Sequence, residues 1–265
     1  MKNIYYFFVF CLLIFVTIIF LVCDYFKQEN SNYLHYLRLP VKPFIMTKDC
    51  LTLLNNSNSA YSQFGQDLFL YNNFFKDKYN GYYVEIGSYH PTFLSNIALF
   101  DQCLNWSGIC FDMNDFHKNE YTKRNCKLIQ TCISNRSYVD YYKQDDSLAN
   151  GKEGTSRTYC TSTNQLFENY KIKHKIDLLS IDIEGDEYYA LQTFPFNKYS
   201  VDYVLVETYH NNHREDIFNL LEEKGFVHVI QIGPDDLFEN TKRQYWFPEK
   251  HTQWKKDISN NVDKS

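Results

Sequence analysis

Short apolar runs alternate with segments of helical periodicity over most of the chain. Six runs predict β-strands, at 82–86, 108–112, 128–133, 176–183, 203–207 and 227–232. Between them, the spacing of apolar residues predicts helices near 62–75, 94–98, 115–124, 163–170, 186–194 and 215–224, and a polar loop near 145–157. This alternation indicates βαβ units, which build an α/β fold with a doubly wound, mostly parallel sheet covered on both faces. Ligands of such sheets bind beyond the carboxyl ends of the strands, so residues at those ends are the functional candidates.

The segment from Asn3 to Cys23 carries no charged residue. About 20 apolar residues are enough to cross a bilayer as a helix, and the apolar region of a cleaved signal peptide is shorter, about 7–15 residues. We therefore predict an uncleaved transmembrane signal anchor at 1–24; a buried core helix is the alternative. Residues 25–60 are polar and irregular and are interpreted as a stem. A globular domain is predicted at 61–247 and a C-terminal tail at 248–265.

The charge balance excludes one class of partner. Lys+Arg is 27 and Asp+Glu is 32, which gives a formal net charge of -5. A protein that binds nucleic-acid phosphates usually carries a basic surplus, so no nucleic-acid partner is expected.

Six cysteines lie outside the predicted anchor, and their even number permits disulfides in an oxidising compartment. The alternative is that Cys110 and Cys132 are small core residues of apolar strands. Lys and Arg on the two sides of the anchor are nearly balanced and do not fix its orientation. The cysteines favour a single-pass membrane protein of the ER or Golgi with a lumenal domain.

The first two predicted strands end in acidic residues with a spacing typical of nucleoside binding. Glu85 and Gly87 end the first strand, and a single glycine does not form the phosphate cradle of a dinucleotide site. S-adenosylmethionine has no phosphate and has a positive sulfonium, which suits an acidic loop. Asp112 follows Gly87 by 25 residues and is placed to accept ribose hydroxyls; capping of the next helix is the alternative. Ser134, after the third strand, is placed near the adenine.

The fourth strand end is the most acidic part of the chain. Strand alternation directs Asp182 and Glu184 to the same face, and Asp186 and Glu187 follow at the start of a helix. The last two acids complement the helix dipole, whereas the first two need a cation or a proton to offset their repulsion.

Four stretches of the sequence together resemble the FkbM-type family of S-adenosylmethionine-dependent methyltransferases. The resemblance runs from about Tyr61 to about Phe247, and the stretches are Ser62–Asp67, Tyr83–Pro91 with Ser95-Asn96, Trp106–Asp112 and Ile176–Glu187. It implies a Rossmann-like class I methyltransferase fold and O-methylation of hydroxyls, such as those of sugars or polyketides. It also implies the positions of cofactor-binding residues: Glu85, Gly87, Ser88 and His90 in the first loop, Asp112 at the ribose, and Asp182 at the reaction centre.

The predicted reaction needs a group that removes the acceptor hydroxyl proton. We assign Asp182 as general base or acceptor orienter. Glu184, together with Glu207 and His210 from the fifth strand end, is expected to shape the acceptor side, and His90 is a second candidate base. No metal is predicted, because Asp182 and Glu184 lack a third ligand in the sequence pattern.

The expected acceptor is a hydroxyl of a glycan or a related small molecule, presented to a membrane-anchored enzyme. Two alternatives stay open. The first is a catalytically inactive methyltransferase-like membrane protein that binds a client protein, suggested by the unusual loop after Gly87 and by the anchor. The second is a cofactor enzyme of another class.

Overall fold

The computed structural model describes residues 48–55, 61–114, 117–142, 148–149, 156–209 and 211–243. The predicted anchor at 1–24, the stem before residue 48 and the tail at 248–265 lie outside these residues, and so does His210. None of the described helices has the length and hydropathy needed to cross a membrane.

The described chain contains eleven strands and six α-helices. The strands are β1 Tyr82–Ile86, β2 Ser107–Asp112, β3 Cys126–Gln130, β4 Cys132–Ile133, β5 Tyr138–Tyr142, β6 Leu148–Ala149, β7 Ser156–Thr161, β8 Lys175–Ile181, β9 Ser200–Glu207, β10 Phe226–Ile232 and β11 Asp235–Asn240. The helices are α1 Lys48–Asn55, α2 Gln66–Leu70, α3 Ala98–Leu104, α4 Thr163–Asn169, α5 Glu187–Gln192 and α6 Arg214–Glu223.

Seven of the strands form one mostly parallel sheet, in the order β10-β11-β9-β8-β1-β2-β3. The five strands from β9 to β3 are parallel, and β11 pairs antiparallel with both β9 and β10. The order reverses between β1 and β8. In a doubly wound sheet this reversal opens a crevice at the carboxyl ends of the strands, which confirms the predicted α/β architecture and locates its binding edge.

Alternate residues of the central strands pack on opposite faces of this sheet. Val84 and Ile86 of β1 pack with α4, α5 and α6, whereas Tyr83 packs with α1, α2 and α3. Because both faces are covered, the central strands read as continuous apolar runs in the sequence. This burial on both faces is why those strands were recognisable from the sequence.

Four predicted elements differ in the structure. The helix expected near 94–98 lies further along the chain, as α3 from Ala98 to Leu104. The helix expected near 62–75 begins at Gln66, after Gly65 in the left-handed conformation, and ends in a π-helical turn, Tyr71–Phe75. In the described part of the helix expected near 115–124, residues 117–124, the structure has a 3₁₀ turn, Glu120–Lys123. The strand near 128–133 is divided at Thr131 between β3 and β4, which belong to different sheets.

A second sheet, the strand β11 and the helix α1 were not predicted; α1 lies in the segment 25–60 that was expected to be an irregular stem. The second sheet has the order β4-β7-β5-β6 and is inserted between β3 and α4. The strand β11 was missed because its first residues, Asp235 and Asp236, are acidic although both are buried. Asp236 is paired with Arg214 and His228, which compensates its burial.

Three disulfides join the six cysteines outside the predicted anchor. They connect Cys50 with Cys103, Cys110 with Cys126, and Cys132 with Cys160. The first fastens α1 to α3, the second crosslinks β2 and β3, and the third ties β4 to β7. Cys110 and Cys132 are buried and are also disulfide-bonded, so the two roles considered for them coexist.

Candidate functional site

A cavity of about 650 Å³ lies at the carboxyl ends of β1, β2 and β8. This volume is in the range of small-molecule sites. Its lining includes four carboxylates, those of Asp112, Asp182, Glu184 and Asp186. Of the described residues that line the cavity, none is Lys, Arg or His. The cavity is therefore suited to a cationic ligand and unsuited to a phosphate group.

The cavity floor is formed where the ends of β1 and β8 meet. The Asp182 backbone N–H donates to the Ile86 carbonyl oxygen at 2.9 Å. Gly87 has a φ of 82°, and a Cβ atom there would collide with the backbone carbonyl of Asp182. Only glycine satisfies both conditions at this position. Gly87 lines the cavity in the loop after β1, the loop in which the family resemblance places it.

Glu85 faces away from the cavity into a buried polar network. Its carboxylate accepts from Arg124 at 3.0 Å and from the Ser95 hydroxyl at 2.7 Å, and it does not line the cavity. Arg124 also pairs with Asp101 and donates to the Pro91 carbonyl oxygen at 2.6 Å. Burial raises the pKa of Glu85, and the charge of Arg124 opposes that rise. Glu85 therefore supports the loop after β1 indirectly, because it binds Arg124 and Ser95 and Arg124 in turn binds the Pro91 carbonyl oxygen.

Asp112 lies on the cavity wall, as the sequence predicted. Its Oδ2 accepts the backbone N–H of Tyr89 at 2.6 Å, and its Oδ1 accepts that of Asn114 at 2.9 Å. These bonds fix the carboxylate at the end of β2. Ser134 is buried and its backbone N–H donates to Thr161, but it does not line the cavity. The wall beside it is formed by Thr131–Ile133.

His90 lies beside the cavity and not on its wall. Its Nδ1 accepts the backbone N–H groups of Thr92 at 3.1 Å and Phe93 at 2.9 Å. The neutral ring therefore carries its hydrogen on Nε2, which lies 3.9 Å from a Glu120 oxygen. Burial lowers the pKa of His90. His90, His117 and Glu120 are close enough to share a metal ion, but the hydrogen on Nε2 fits a contact with the carboxylate instead.

The acids predicted for the reaction centre converge at the ends of β8 and β9. One carboxylate oxygen from each of Asp182, Glu184 and Glu207 lies within 4.8 Å of the others. Glu184 is exposed at the rim with a φ of 59°. Glu207 reaches the site through Asp182, although it does not itself line the cavity. The predicted contribution of His210 falls outside the described residues.

Asp182 and Glu207 share a hydrogen bond, so the pair retains a proton. Burial, followed by the charge of Glu207, raises the pKa of Asp182 well above its usual range. Burial raises the pKa of Glu207 to about 7. Three carboxylates at this distance offer the oxygen ligands that a hard divalent cation binds. The proton shared by the pair already offsets its charge, and we assign no metal here.

Three residues that were not predicted as site residues shape this acidic site. Asp235 pairs opposite Glu207 across the β9–β11 ladder and accepts from the side-chain amide of Gln66 at 2.5 Å. Burial raises the pKa of Asp235 to about 6. Glu187 accepts the backbone N–H of Ile183 at 2.9 Å and of Gly185 at 3.1 Å, which holds the loop after Asp182. Gln66 and Glu187 both fall in stretches that carry the family resemblance, whereas no signal marked Asp235.

Comparison with known proteins identifies a family for this chain. The model of the Methyltransferase FkbM domain matches residues 85–228, from β1 into β10. No curated protein matches the chain. Among solved structures, the chain is similar to the precorrin-6y C5,15-methyltransferase from Geobacter metallireducens GS-15. That similarity has 9% identity over 75% of this chain and 93% of the other, with a TM-score of 0.38, too low to support a functional argument.

Proposed function

This chain belongs to the FkbM methyltransferase domain family, and from that premise we propose that it is an S-adenosylmethionine-dependent O-methyltransferase of the Rossmann-like class I fold. The observation that carries the proposal is the charge of the cavity, which has four carboxylates and no basic residue among its described lining. Such a site attracts the sulfonium cation and disfavours phosphate-bearing cofactors. The strand order of the sheet, with its reversal between β1 and β8, supports the fold assignment.

The residues of the cavity divide into a donor side and an acceptor side. On the donor side, Asp112 accepts hydroxyl groups of a ribose, and the wall at Thr131–Ile133 packs against an adenine. When bound there, S-adenosylmethionine supplies the methyl group. The turn at Gly87 brings the backbone of the loop close to the ligand. Arg124 holds the same loop in place by donating to the carbonyl oxygen of Pro91.

On the acceptor side, the Asp182–Glu207 pair removes the hydroxyl proton. Glu207 loses its proton as pH rises through its pKa of about 7, whereas Asp182, whose pKa is raised well above its usual range, keeps the proton that the pair shares. The pair with a single proton is the base, so methyl transfer increases as pH rises through about 7 and levels off above it. Glu184 lies at the rim, where its carboxylate orients the acceptor.

The mouth of the cavity suits a sugar hydroxyl as acceptor. Phe64 and Tyr209 are 55% and 58% exposed. Phe64 contacts Gly233, and the Tyr209 backbone N–H donates to the carbonyl oxygen of Pro234, a lining residue. Aromatic rings pack against the C–H faces of sugars while carboxylates accept their hydroxyls. A glycan or a related hydroxyl compound is therefore the proposed acceptor.

We also propose that the domain faces the lumen of the ER or Golgi, held by an anchor at 1–24. The disulfides support this orientation, because all six cysteines outside the anchor are paired and such pairing persists in oxidising compartments. Protease protection of intact microsomes tests it, and digestion of the domain without detergent contradicts it.

The activity is tested with labelled cofactor and glycan extracts, using wild type, Asp182→Asn and the exposed control Asp216→Asn. We expect Asp182→Asn to reduce the rate of methyl transfer by about 10²–10⁴-fold. Its affinity for S-adenosylmethionine, measured by calorimetry, should be unchanged. Full transfer by that variant would refute the choice of base. Failure of the wild type to bind S-adenosylmethionine would refute the proposed function. Binding without transfer to any acceptor would favour the inactive client-binding protein.

A further inference from the structure

The loop after β1 exposes apolar side chains at the edge of the cavity. Tyr89, Phe93 and Leu94 are 37%, 60% and 37% exposed, and both Tyr89 and Leu94 line the cavity. Two histidine rings connect them: the ring of His117 lies 6.0 Å from Tyr89 and 4.4 Å from His90, and the ring of His90 lies 6.2 Å from Phe93. A continuous exposed apolar surface beside a binding site indicates an interaction surface.

Hydrogen bonds hold this loop in its exposed form. His90 Nδ1 accepts the backbone N–H of Phe93 at 2.9 Å, and the Tyr89 backbone N–H donates to Asp112 at 2.6 Å. Tyr89 and Leu94 have positive φ angles of 40° and 62°, which are rare for bulky residues. Backbone strain that the surrounding structure maintains is typical of functional loops. The exposure of the apolar side chains is therefore a fixed feature of the fold.

Two lysines lie near this surface. Lys118 and Lys123 are exposed on the segment that carries His117. Burial lowers the pKa of His90, and the charge of Lys123 adds to this effect, which places that lysine near the ring. Rings bordered by lysines suit a lipid surface, because the rings enter the apolar region while the ammonium groups stay among the lipid phosphates.

The predicted anchor would keep the domain beside a bilayer. Residues 25–47 separate that anchor from α1, and such a segment extends to at most about 80 Å. A domain of this size is only about 40 Å across, so the connection allows any of its faces to touch the membrane. The chemistry of the surface then decides which face binds. A weak contact is sufficient, because the anchor makes the contact intramolecular.

We propose that the loop at residues 89–94 binds the surface of the bilayer that holds the anchor. Because Tyr89 and Leu94 also line the cavity, this contact places the cavity mouth at the lipid headgroups. The acceptor hydroxyl then belongs to the headgroup of a membrane lipid, such as a glycolipid, and not to a soluble sugar. This assignment of the acceptor rests on the proposed function.

Fluorescence quenching tests the bilayer contact with the full chain in phosphatidylcholine vesicles. Phe93→Trp places an indole ring in the loop, and none of the three native tryptophans lies within residues 1–24. We expect lipid with bromine on its acyl chains to remove most of the fluorescence that this substitution adds. The matched control is Tyr79→Trp, 40% exposed and just before β1 at the opposite edge of the sheet, which should keep its added fluorescence.

Labelled S-adenosylmethionine tests the acceptor. When vesicles of extracted membrane lipids and water-soluble glycans are offered together, the wild type should transfer the label to the lipid fraction. Phe93→Ser should reduce that transfer by about tenfold, the effect of losing one apolar contact with the bilayer. Its affinity for S-adenosylmethionine should be unchanged, because Phe93 does not line the cavity.

The outcomes separate this inference from the proposed function. Absence of quenching in Phe93→Trp, or equal quenching in Tyr79→Trp, would overturn the bilayer contact. Label in the glycans and not in the lipids would overturn the assignment of the acceptor and leave the methyltransferase activity intact. A wild type that transfers no label to either fraction would overturn the proposed activity, whereas quenching confined to Phe93→Trp would still support the bilayer contact.

Discussion

Replacing Arg124 with methionine is predicted to cost about 3–5 kcal/mol of unfolding free energy at pH 7.5, the usual effect of removing one partner from a buried ion pair. The Arg124 side chain is 0% exposed and contacts two buried carboxylates, those of Glu85 at 3.0 Å and Asp101. It also donates to the carbonyl oxygen of Pro91 and the hydroxyl of Tyr83. Methionine replaces much of the volume but leaves both carboxylates without a cation.

The pH dependence of this loss follows from Glu85 and Asp101, the two buried acids that are left without a cation. Burial already raises the pKa of Glu85 and of Asp101, and Arg124 opposes the rise in both. Without Arg124 both pKa values rise further above those of the unfolded chain. The folded variant then binds more protons than the unfolded chain, so its stability increases as pH falls. The difference in unfolding free energy between the variant and wild type should therefore become smaller as the pH is lowered from 7.5 to 5.5.

Urea unfolding of the oxidised protein at the two pH values measures both effects. The matched control adds Glu85→Gln and Asp101→Asn to Arg124→Met. These changes remove the two carboxylates that lack a cation, so the triple variant should recover part of the unfolding free energy. A loss of less than about 1 kcal/mol at pH 7.5, the range of exposed ion pairs, would refute the reasoning. An equal loss of unfolding free energy at pH 5.5 and pH 7.5 would also refute it.

Two further variants test the turn at Gly87 and the disulfide between Cys50 and Cys103. Gly87→Ala should destabilise the protein by more than the roughly 1–3 kcal/mol of positive-φ strain and abolish cofactor binding, because its Cβ meets the Asp182 carbonyl. Gly185→Ala, with positive φ and open space, is the control for urea unfolding and cofactor titration, and an equal effect there would contradict the collision. Replacing Cys50 and Cys103 with alanine should cost about 4 kcal/mol for a loop of 53 residues. Peptide mapping without reductant checks the bond, and free thiols at these positions in the mature protein would contradict it.

The central sheet was predictable because its strands are buried on both faces. Runs such as Tyr82–Ile86 and Lys175–Ile181 are mostly apolar, and their carboxyl ends are directly visible in the sequence. The sequence alone therefore places Asp112 and Asp182 at one edge of the sheet. It does not reveal β11, whose acids are buried by partners distant in sequence: Gln66 and Asp235 are 169 residues apart.

The sequence also could not predict the direction in which individual side chains point. An acid next to the cofactor loop suggests a ligand contact, but the Glu85 carboxylate is bound by Arg124, 39 residues further along the chain. Asn96 shows the reverse case. In the sequence it is only part of a motif, and only the folded arrangement shows that its buried carboxamide oxygen has no hydrogen-bond partner among the described residues of the cavity wall.

The bond between Cys132 and Cys160 makes the attachment of one part of the cavity wall depend on the redox state of the protein. Cys132 forms part of the wall placed against the adenine, and its disulfide ties that wall to the inserted sheet. A newly synthesised chain has this crosslink only after it meets an oxidant, since thiols stay reduced in the cytosol. The link between this wall and the inserted sheet therefore forms only in an oxidising environment.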